Sequence, residues 1–237
     1  ATELRIAVGQ LLGGLDGDVT QQALSGLACA LLRGVLIVAG REIASRHGHF
    51  PGDGFRASNT AGDEDLRCLD HMAVIAYGTL GAAELGYESD LDIVFLFEPV
   101  AGVSEGPRPL PPERFYARLA QRVLSFLTVM TPSGRLYEVD TRLRPNGRAG
   151  SLVSSLAAFR EYQLKDAWTW ELQALTRARF VAGSLSLAAG FTRVRQEVLC
   201  RDRDEARLTN DLADMRNKMA REQGGRAVDS PGASPKH

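Results

Sequence analysis

Between Ala73 and Glu98 the chain reads AVIAYGTLGAAELGYESDLDIVFLFE: an apolar run, a turn punctuated by glycines, and a second apolar run headed by two aspartates. Two short apolar runs so close together predict neighbouring strands joined by a brief connection. On the second strand side chains alternate between faces, so Asp90 and Asp92 project one way and Leu91, Ile93, Phe95 and Phe97 the other. Adjacent carboxylates repel each other and call for a cation. Hard oxygen donors that leave room for water and phosphate oxygens suit Mg²⁺. Taken alone, a D-x-D is read more simply as the polar start of a strand, with Ser89 and Asp90 as turn formers.

The neighbours of this motif bear on that choice. Gly78 and Gly81 follow the apolar run Met72 to Tyr77, where a glycine lets the backbone approach a ligand and a short helix can point N–H groups at phosphate. Some fifty residues on, RLYEVDTRLRP predicts a strand over 135–143. Tyr137, Val139, Thr141 and Leu143 would share one face, and Glu138, Asp140, Arg142 and Arg144 the other. Beside the D-x-D strand, Asp140 would complete a three-carboxylate metal site, and the two arginines could bind phosphate oxygens with their planar forks. An edge strand with a solvated, self-paired charged face explains the segment equally well.

Gly78, the run Ser89-Asp90-Leu91-Asp92, and Asp140 together resemble the metal and nucleotide signature of the polymerase-β-like nucleotidyltransferase superfamily. Two longer strings, GTLGAAELGYESDLDIVFLF and LYEVDTRLRPNGRAGSLVSSLAAFREYQLKDAWTWELQALTRARFVAG, resemble the glutamine synthetase adenylyltransferase/deadenylylase family. That family carries two related nucleotidyltransferase domains, and AWTWELQALTRAR is similar to the C-terminal, adenylylating copy. The resemblance runs from about Leu4 to Met219 and is strongest from Val74 to Gly183.

The resemblance implies an α+β fold: a polymerase-β-like core with a small mixed sheet, flanked by N-terminal and C-terminal helices. It implies adenylyl transfer from ATP to a tyrosine of glutamine synthetase, with release of pyrophosphate and control of nitrogen assimilation. Asp90 and Asp92 would hold two Mg²⁺ ions, and Asp140 would ligate the ion near the attacking oxygen and orient or deprotonate the tyrosine. Gly78, Thr79 and Ser89 would contact the β- and γ-phosphates, with Arg142 and Arg144 as further nucleotide-binding candidates. The same metals would serve phosphorolytic removal of the adenylyl group, so geometry alone does not separate the two directions. Likeness to the C-terminal copy favours transfer. A noncatalytic nucleotide- or partner-binding fragment is the rival from another class, and the intact carboxylates argue against it. Implied partners are glutamine synthetase, ATP and a PII-type signalling protein acting through other parts of the enzyme, in the cytoplasm.

Two features depart from the family pattern. Thr79 stands where the family has a lysine, and a charge-assisted hydrogen bond to phosphate is worth roughly 1.5–3 kcal/mol. The closing GGRAVDSPGASPKH matches nothing in the family, which predicts a fragment or truncated product.

Composition narrows the function classes further. A formal net charge of −1, from 28 basic and 29 acidic residues, gives no support for nonspecific nucleic-acid binding. Only Lys165, Lys218 and Lys236 are lysines, so arginines must bind any phosphate. Cys29, Cys68 and Cys200 are scattered and predict buried free thiols in a reducing compartment. His47 and His49, near Asp53, predict a solvated loop in place of a metal site. Apolar stretches such as Leu27 to Gly40 are interrupted by Arg33 and fall short of the ~20 residues that span a bilayer, and no basic head precedes an apolar core at the start, so neither a membrane segment nor a signal peptide is expected.

Along the chain, residues 1–50 predict two helices. Leu4, Val8, Leu11 and Leu12 line the first, which glycines 13 and 14 close; the second runs from about Asp18 to Arg46. A loop over 51–71 leads into a catalytic core over 72–183, with strands near 72–77, 91–98 and 135–143. Pro111 and Pro112 start a helix through Met130, after a mobile loop from Pro99 to Leu110. NGRAGSLVSS predicts a turn-rich connector running beside the nucleotide. Ala157 to Arg179 predicts mostly helix, with Trp168 and Trp170 in packing roles and Arg177 and Arg179 at the site rim or at an exposed helix end. Helices from Ser184 to Cys200 and Asp204 to Glu222 would fill 184–222, ahead of a disordered tail over 223–237.

Overall fold

The computed structural model describes residues 2–11, 13–14, 16–51, 69–131 and 134–202, together with 209 and 213. Leu12, Asp53, Cys68, the second C-terminal helix but for residues 209 and 213, and the tail lie outside the described residues, as do the side chains of Leu4 and Leu11. Two helices open the chain, α1 (Thr2–Leu11) and α2 (Gly17–His47). Gly13 and Gly14 close α1 through hydrogen bonds to the Gln10 and Gly9 carbonyls. The carboxylate of Asp16 accepts the Val19 N–H at 2.8 Å and caps α2.

Next come β1 (Met72–Ala76), α3 (Gly78–Ala82) and β2 (Leu91–Phe97), the two strands pairing side by side as the opening motif predicts, in antiparallel register. After α4 (Pro112–Thr128), a small hairpin of β3 (Met130–Thr131) and β4 (Gly134–Arg135) leads to β5 (Val139–Asp140) and β6 (Val153–Ser155). Both β5 and β6 lie parallel to β2 on the same edge, β5 beside its start and β6 beside its end. Then follow α5 (Leu156–Lys165), α6 (Thr169–Thr176), β7 (Arg179–Gly183) and α7 (Leu185–Leu199), with β7 antiparallel to β1 on the far edge. The fold is α+β with a small mixed sheet, as expected.

Strand alternation divides the core in two. Met72, Val74, Ala76, Leu91, Ile93, Phe95 and Phe97 pack with α2, α4 and Phe50 on one face. Ala73, Ile75, Tyr77, Val94 and Leu96 pack with Phe159, Leu175, Leu187, Phe191 and Val198 from the later helices on the other. Burying a large apolar side chain contributes about 1.5–3 kcal/mol, so both faces of the sheet are stabilising layers. Asp92 has the parity of Val94 and Leu96 and therefore lies at the head of the second face.

Several expectations need correction. The 31-residue α2 is long and apolar enough, by length and composition, to cross a membrane, against the expectation that its apolar run falls short. One side of it nevertheless belongs to the first core through Leu24, Ala28, Leu32, Leu36, Ala39 and Ile43. Its Arg33 donates to the Val181 carbonyl at 2.9 Å, beside the register shift where β7 bulges against β1. The predicted strand over 135–143 shrinks to Val139–Asp140, because the Asp140 carboxylate accepts the Arg142 N–H at 2.8 Å and turns the chain at once. Leu143 consequently joins the second core, whereas Tyr137 and Val139 join the first.

The predicted helix over 157–179 is two helices and a strand. It breaks after Lys165, restarts at Thr169, and gives way to β7, whose pairing with distant β1 overrides local propensity. The loop 99–110 is tied at several points: Glu105 N–H donates to His49 O at 2.7 Å, and Ser104 and Leu110 bond to each other twice. His47 is buried at the end of α2, with Nδ1 2.6 Å from the Arg108 carbonyl, and is not solvated. Cys29 is a buried free thiol as expected, whereas Cys200 is exposed. Trp168 and Trp170 are 70% and 42% exposed, so neither is a core side chain.

Candidate active site

At the turn from β1 into α3, Gly78 adopts φ +54°, a left-handed conformation that favours glycine. A Cβ at this position would lie 2.2 Å from Oδ2 of Asp92, so the backbone occupies the space beside that carboxylate only because residue 78 has no side chain. The Tyr77 N–H donates to the Asp92 carbonyl at 2.8 Å and extends the β1–β2 ladder into the turn. Arg179, on β7, anchors the other end of α3 by donating to Gly81 O at 2.8 Å and Leu80 O at 2.9 Å. Its neighbour Arg177 pairs with Glu84 at the surface at 2.5 Å. Of the two earlier readings for these arginines, Arg179 thus braces α3 and Arg177 is exposed.

Across the sheet, Asp92 and Asp140 are register partners in the parallel β2–β5 pair. Side chains opposite each other in a sheet point to one side, so the two carboxylates share a face. Asp90 is exposed just before β2 and lines an open cleft of about 320 Å³ with Glu138, Asp140, Thr141, Arg142 and Arg144. Burial, then the negative charges of Asp140 and Asp90, hold the Asp92 carboxyl above the ordinary carboxylate range, while Arg142 pulls it back. The exposed Arg142 guanidinium pairs with Asp140, with Nε 2.5 Å from Oδ2.

The structure therefore brings together Gly78, Asp90, Asp92, Asp140 and Arg142, with Thr79 following Gly78 on α3. Two candidates are engaged locally. The Ser89 hydroxyl accepts the Gly86 N–H at 3.0 Å within its own turn. Arg144 donates to the Thr141 carbonyl at 2.7 Å and to the Thr141 hydroxyl at 2.6 Å, which fixes the 141–150 turn. Among the described residues no three His, Cys, Asp or Glu side chains are gathered as a ready metal cage, and Arg142 is the cation on Asp140. The donor set still has the chemistry of a hard divalent ion's site: three carboxylates with one exposed counter-charge, and Asp92 held high by its negative neighbours.

Sequence reasoning missed a second group next to this cleft. Tyr162 donates its hydroxyl to Glu171, 3.0 Å from each carboxylate oxygen, and burial together with Glu171 pushes its pKa up to about 12. Glu171 is itself buried and accepts the Trp168 N–H at 2.9 Å. Trp168 lies in extended backbone as the N-cap of α6 and Trp170 on its first turn, so the single helix read over 157–179 gave no signal of this group.

The profile of the family described as glutamate-ammonia ligase adenylyltransferase matches residues 1–194. The chain is similar to curated proteins named bifunctional glutamine synthetase adenylyltransferase/adenylyl-removing enzyme. That of Nitrosococcus oceani is 47% identical over 228 residues, covering 94% of this chain and 23% of the relative. That of Methylococcus capsulatus is 45% identical over 221 residues, covering 92% and 22%. That of Stenotrophomonas maltophilia strain R551-3 is 46% identical over 228 residues, covering 93% and 23%. The chain thus spans less than a quarter of the length of these relatives.

Proposed function

Because the chain belongs to the glutamate-ammonia ligase adenylyltransferase family, we propose that it transfers an adenylyl group from ATP to a tyrosine of glutamine synthetase, in the cytoplasm. The observation that carries this reading is the parallel register of Asp92 with Asp140, beside the bare backbone of Gly78. In the transfer, the tyrosine oxygen forms a bond to the α-phosphorus, the α–β phosphoanhydride bond breaks, and its electron pair leaves with pyrophosphate. The phenolic proton passes to Asp140.

Asp90, Asp92 and Asp140 are the residues that would hold Mg²⁺, which when bound supplies charge neutralisation for the entering and leaving oxygens. The chain's own groups do the positioning. Gly78 and Thr79 admit the phosphates to the backbone at the start of α3. Arg142 is exposed enough to exchange Asp140 for a phosphate oxygen, and its planar fork suits that contact. Asp140, relieved of Arg142, then faces the acceptor hydroxyl, whose reference pKa near 10 makes a neighbouring base useful. Product analysis tests the direction: adenylyl transfer releases one pyrophosphate for each synthetase modified, whereas ADP formed from modified synthetase and phosphate marks the removal reaction.

A further inference from the structure

A second cavity, of about 430 Å³, opens beside the carboxylate cleft. It is lined by Arg142, Asn146, Tyr162, Asp166, Trp168 and Trp170 among others. Its volume falls within the roughly 300–1,000 Å³ typical of small-molecule sites. Arg142 lines both spaces, so the two adjoin at one side chain. They also share a side of the sheet. Asp92 heads the face on which Val94 and Leu96 pack with Phe159 of α5 and Leu175 of α6, and residues 162–171, from α5 through its connection into α6, supply most of the cavity wall.

The lining combines groups of different chemistry. Arg142, the cation, is the residue shared with the cleft. The indoles of Trp168 and Trp170, 70% and 42% exposed, contribute little to the core of this chain. Large aromatic surfaces left in water at a cavity wall offer stacking faces. The carboxylates of Asp166 and Glu171 in the lining disfavour a phosphate beside them, and with Asn146 they offer acceptors for hydroxyl and amino groups. The wall's backbone is held in place: Glu171 accepts both the Tyr162 hydroxyl and the Trp168 backbone N–H, which lowers the ordering cost of binding.

We propose that this cavity seats the adenine and ribose of ATP, with the purine against an indole, the ribose hydroxyls towards Asp166 and Asn146, and the α-phosphate emerging at Arg142. The assignment rests on the adenylyl-transfer reading and gives that site its base-recognition pocket.

Trp168 and Trp170 are the chain's only two tryptophans, so fluorescence excited selectively in tryptophan, beyond the absorption of the five tyrosines, reports on this cavity. The full chain is titrated with Mg²⁺ and ATP, adenosine, inorganic tripolyphosphate, or a tyrosyl peptide of glutamine synthetase. Calorimetry runs in parallel on wild type, Trp168→Ala, Trp170→Ala, Trp170→Phe and Asp92→Asn. ATP and adenosine should change the fluorescence and tripolyphosphate should not. Alanine at the stacking tryptophan should weaken ATP roughly 5- to 150-fold. Tripolyphosphate affinity should stay unchanged in that variant, which also shows that it is folded, and Trp170→Phe should retain most of the ATP affinity. If ATP binds in an Asp92-dependent manner with no fluorescence change and equal affinity in both alanine variants, the nucleoside lies elsewhere and the transfer reading survives alone. If the tyrosyl peptide moves the fluorescence and ATP does not, the cavity belongs to the acceptor and the proposal is overturned. If neither ATP nor tripolyphosphate binds, the transfer reading falls and the pocket assignment falls with it.

Discussion

Gly78 and Asp92 compete for the same space: a methyl group on Gly78 would lie 2.2 Å from the Asp92 Oδ2 atom. Gly78→Ala should therefore abolish transfer and destabilise the chain by about 1–3 kcal/mol, combining left-handed backbone strain with displacement of the carboxylate. Chemical denaturation of the double variant Gly78→Ala/Asp92→Ala checks the cause. Truncating Asp92 should relieve the clash and leave the strain, giving a coupling of about 0.5–3 kcal/mol. Strictly additive effects would mean that the two residues do not interfere.

Asp92 is held above the ordinary carboxylate range by burial and then by Asp140 and Asp90, so its ionised form costs folding free energy. With a raised folded pKa, its contribution is fully favourable below the unfolded value near 3.9 and is lost as pH rises through the folded value. Asp92→Asn should consequently raise the Tm at pH 7 while eliminating activity. A lowered Tm in the asparagine variant would show that Asp92 is stabilised by a partner.

Arg142 sits on Asp140 and lines both cavities. Arg142→Gln should raise the KM for ATP about 10- to 100-fold, the worth of a charge-assisted phosphate contact. It should also tighten Mn²⁺ binding measured without nucleotide, because the competing cation is gone. Weaker Mn²⁺ binding in the variant would show that the ion pair organises the carboxylates instead of shielding them.

Arg179 and Arg177 are separated by one residue and should behave differently. Arg179→Ala removes two bonds that hold the end of α3 and should cost about 2–3 kcal/mol, with loss of activity as the Gly78 turn shifts. Arg177→Ala removes an exposed pair and should cost under about 1 kcal/mol. Thermal melts of the two variants compare them directly.

The β1–β2 pair, the two opening helices, α4 and α7 were legible because each carries its own apolar period and a local stop signal. The elements that escaped depend on something beyond local pattern. β7 follows a helix and becomes a strand only by pairing with β1, about a hundred residues earlier. β5 ends after Asp140 because that side chain bonds the backbone two residues on, a choice that strand alternation does not reveal. The D-x-D motif and Asp140 could be read as a site from residue type and resemblance, and the register partnership of Asp92 with Asp140 follows from that topology. The cavity walled by Tyr162, Trp168 and Trp170 could not, because aromatic residues near a site look like core until their exposure is known.

The most direct test of the central claim is transfer of label from α-labelled ATP, with Mg²⁺, to purified glutamine synthetase, comparing this chain with Asp92→Ala. The account predicts labelled synthetase with the native sequence and none with the variant. A folded, ATP-binding chain that leaves the synthetase unlabelled, or equal labelling by both proteins, would contradict it.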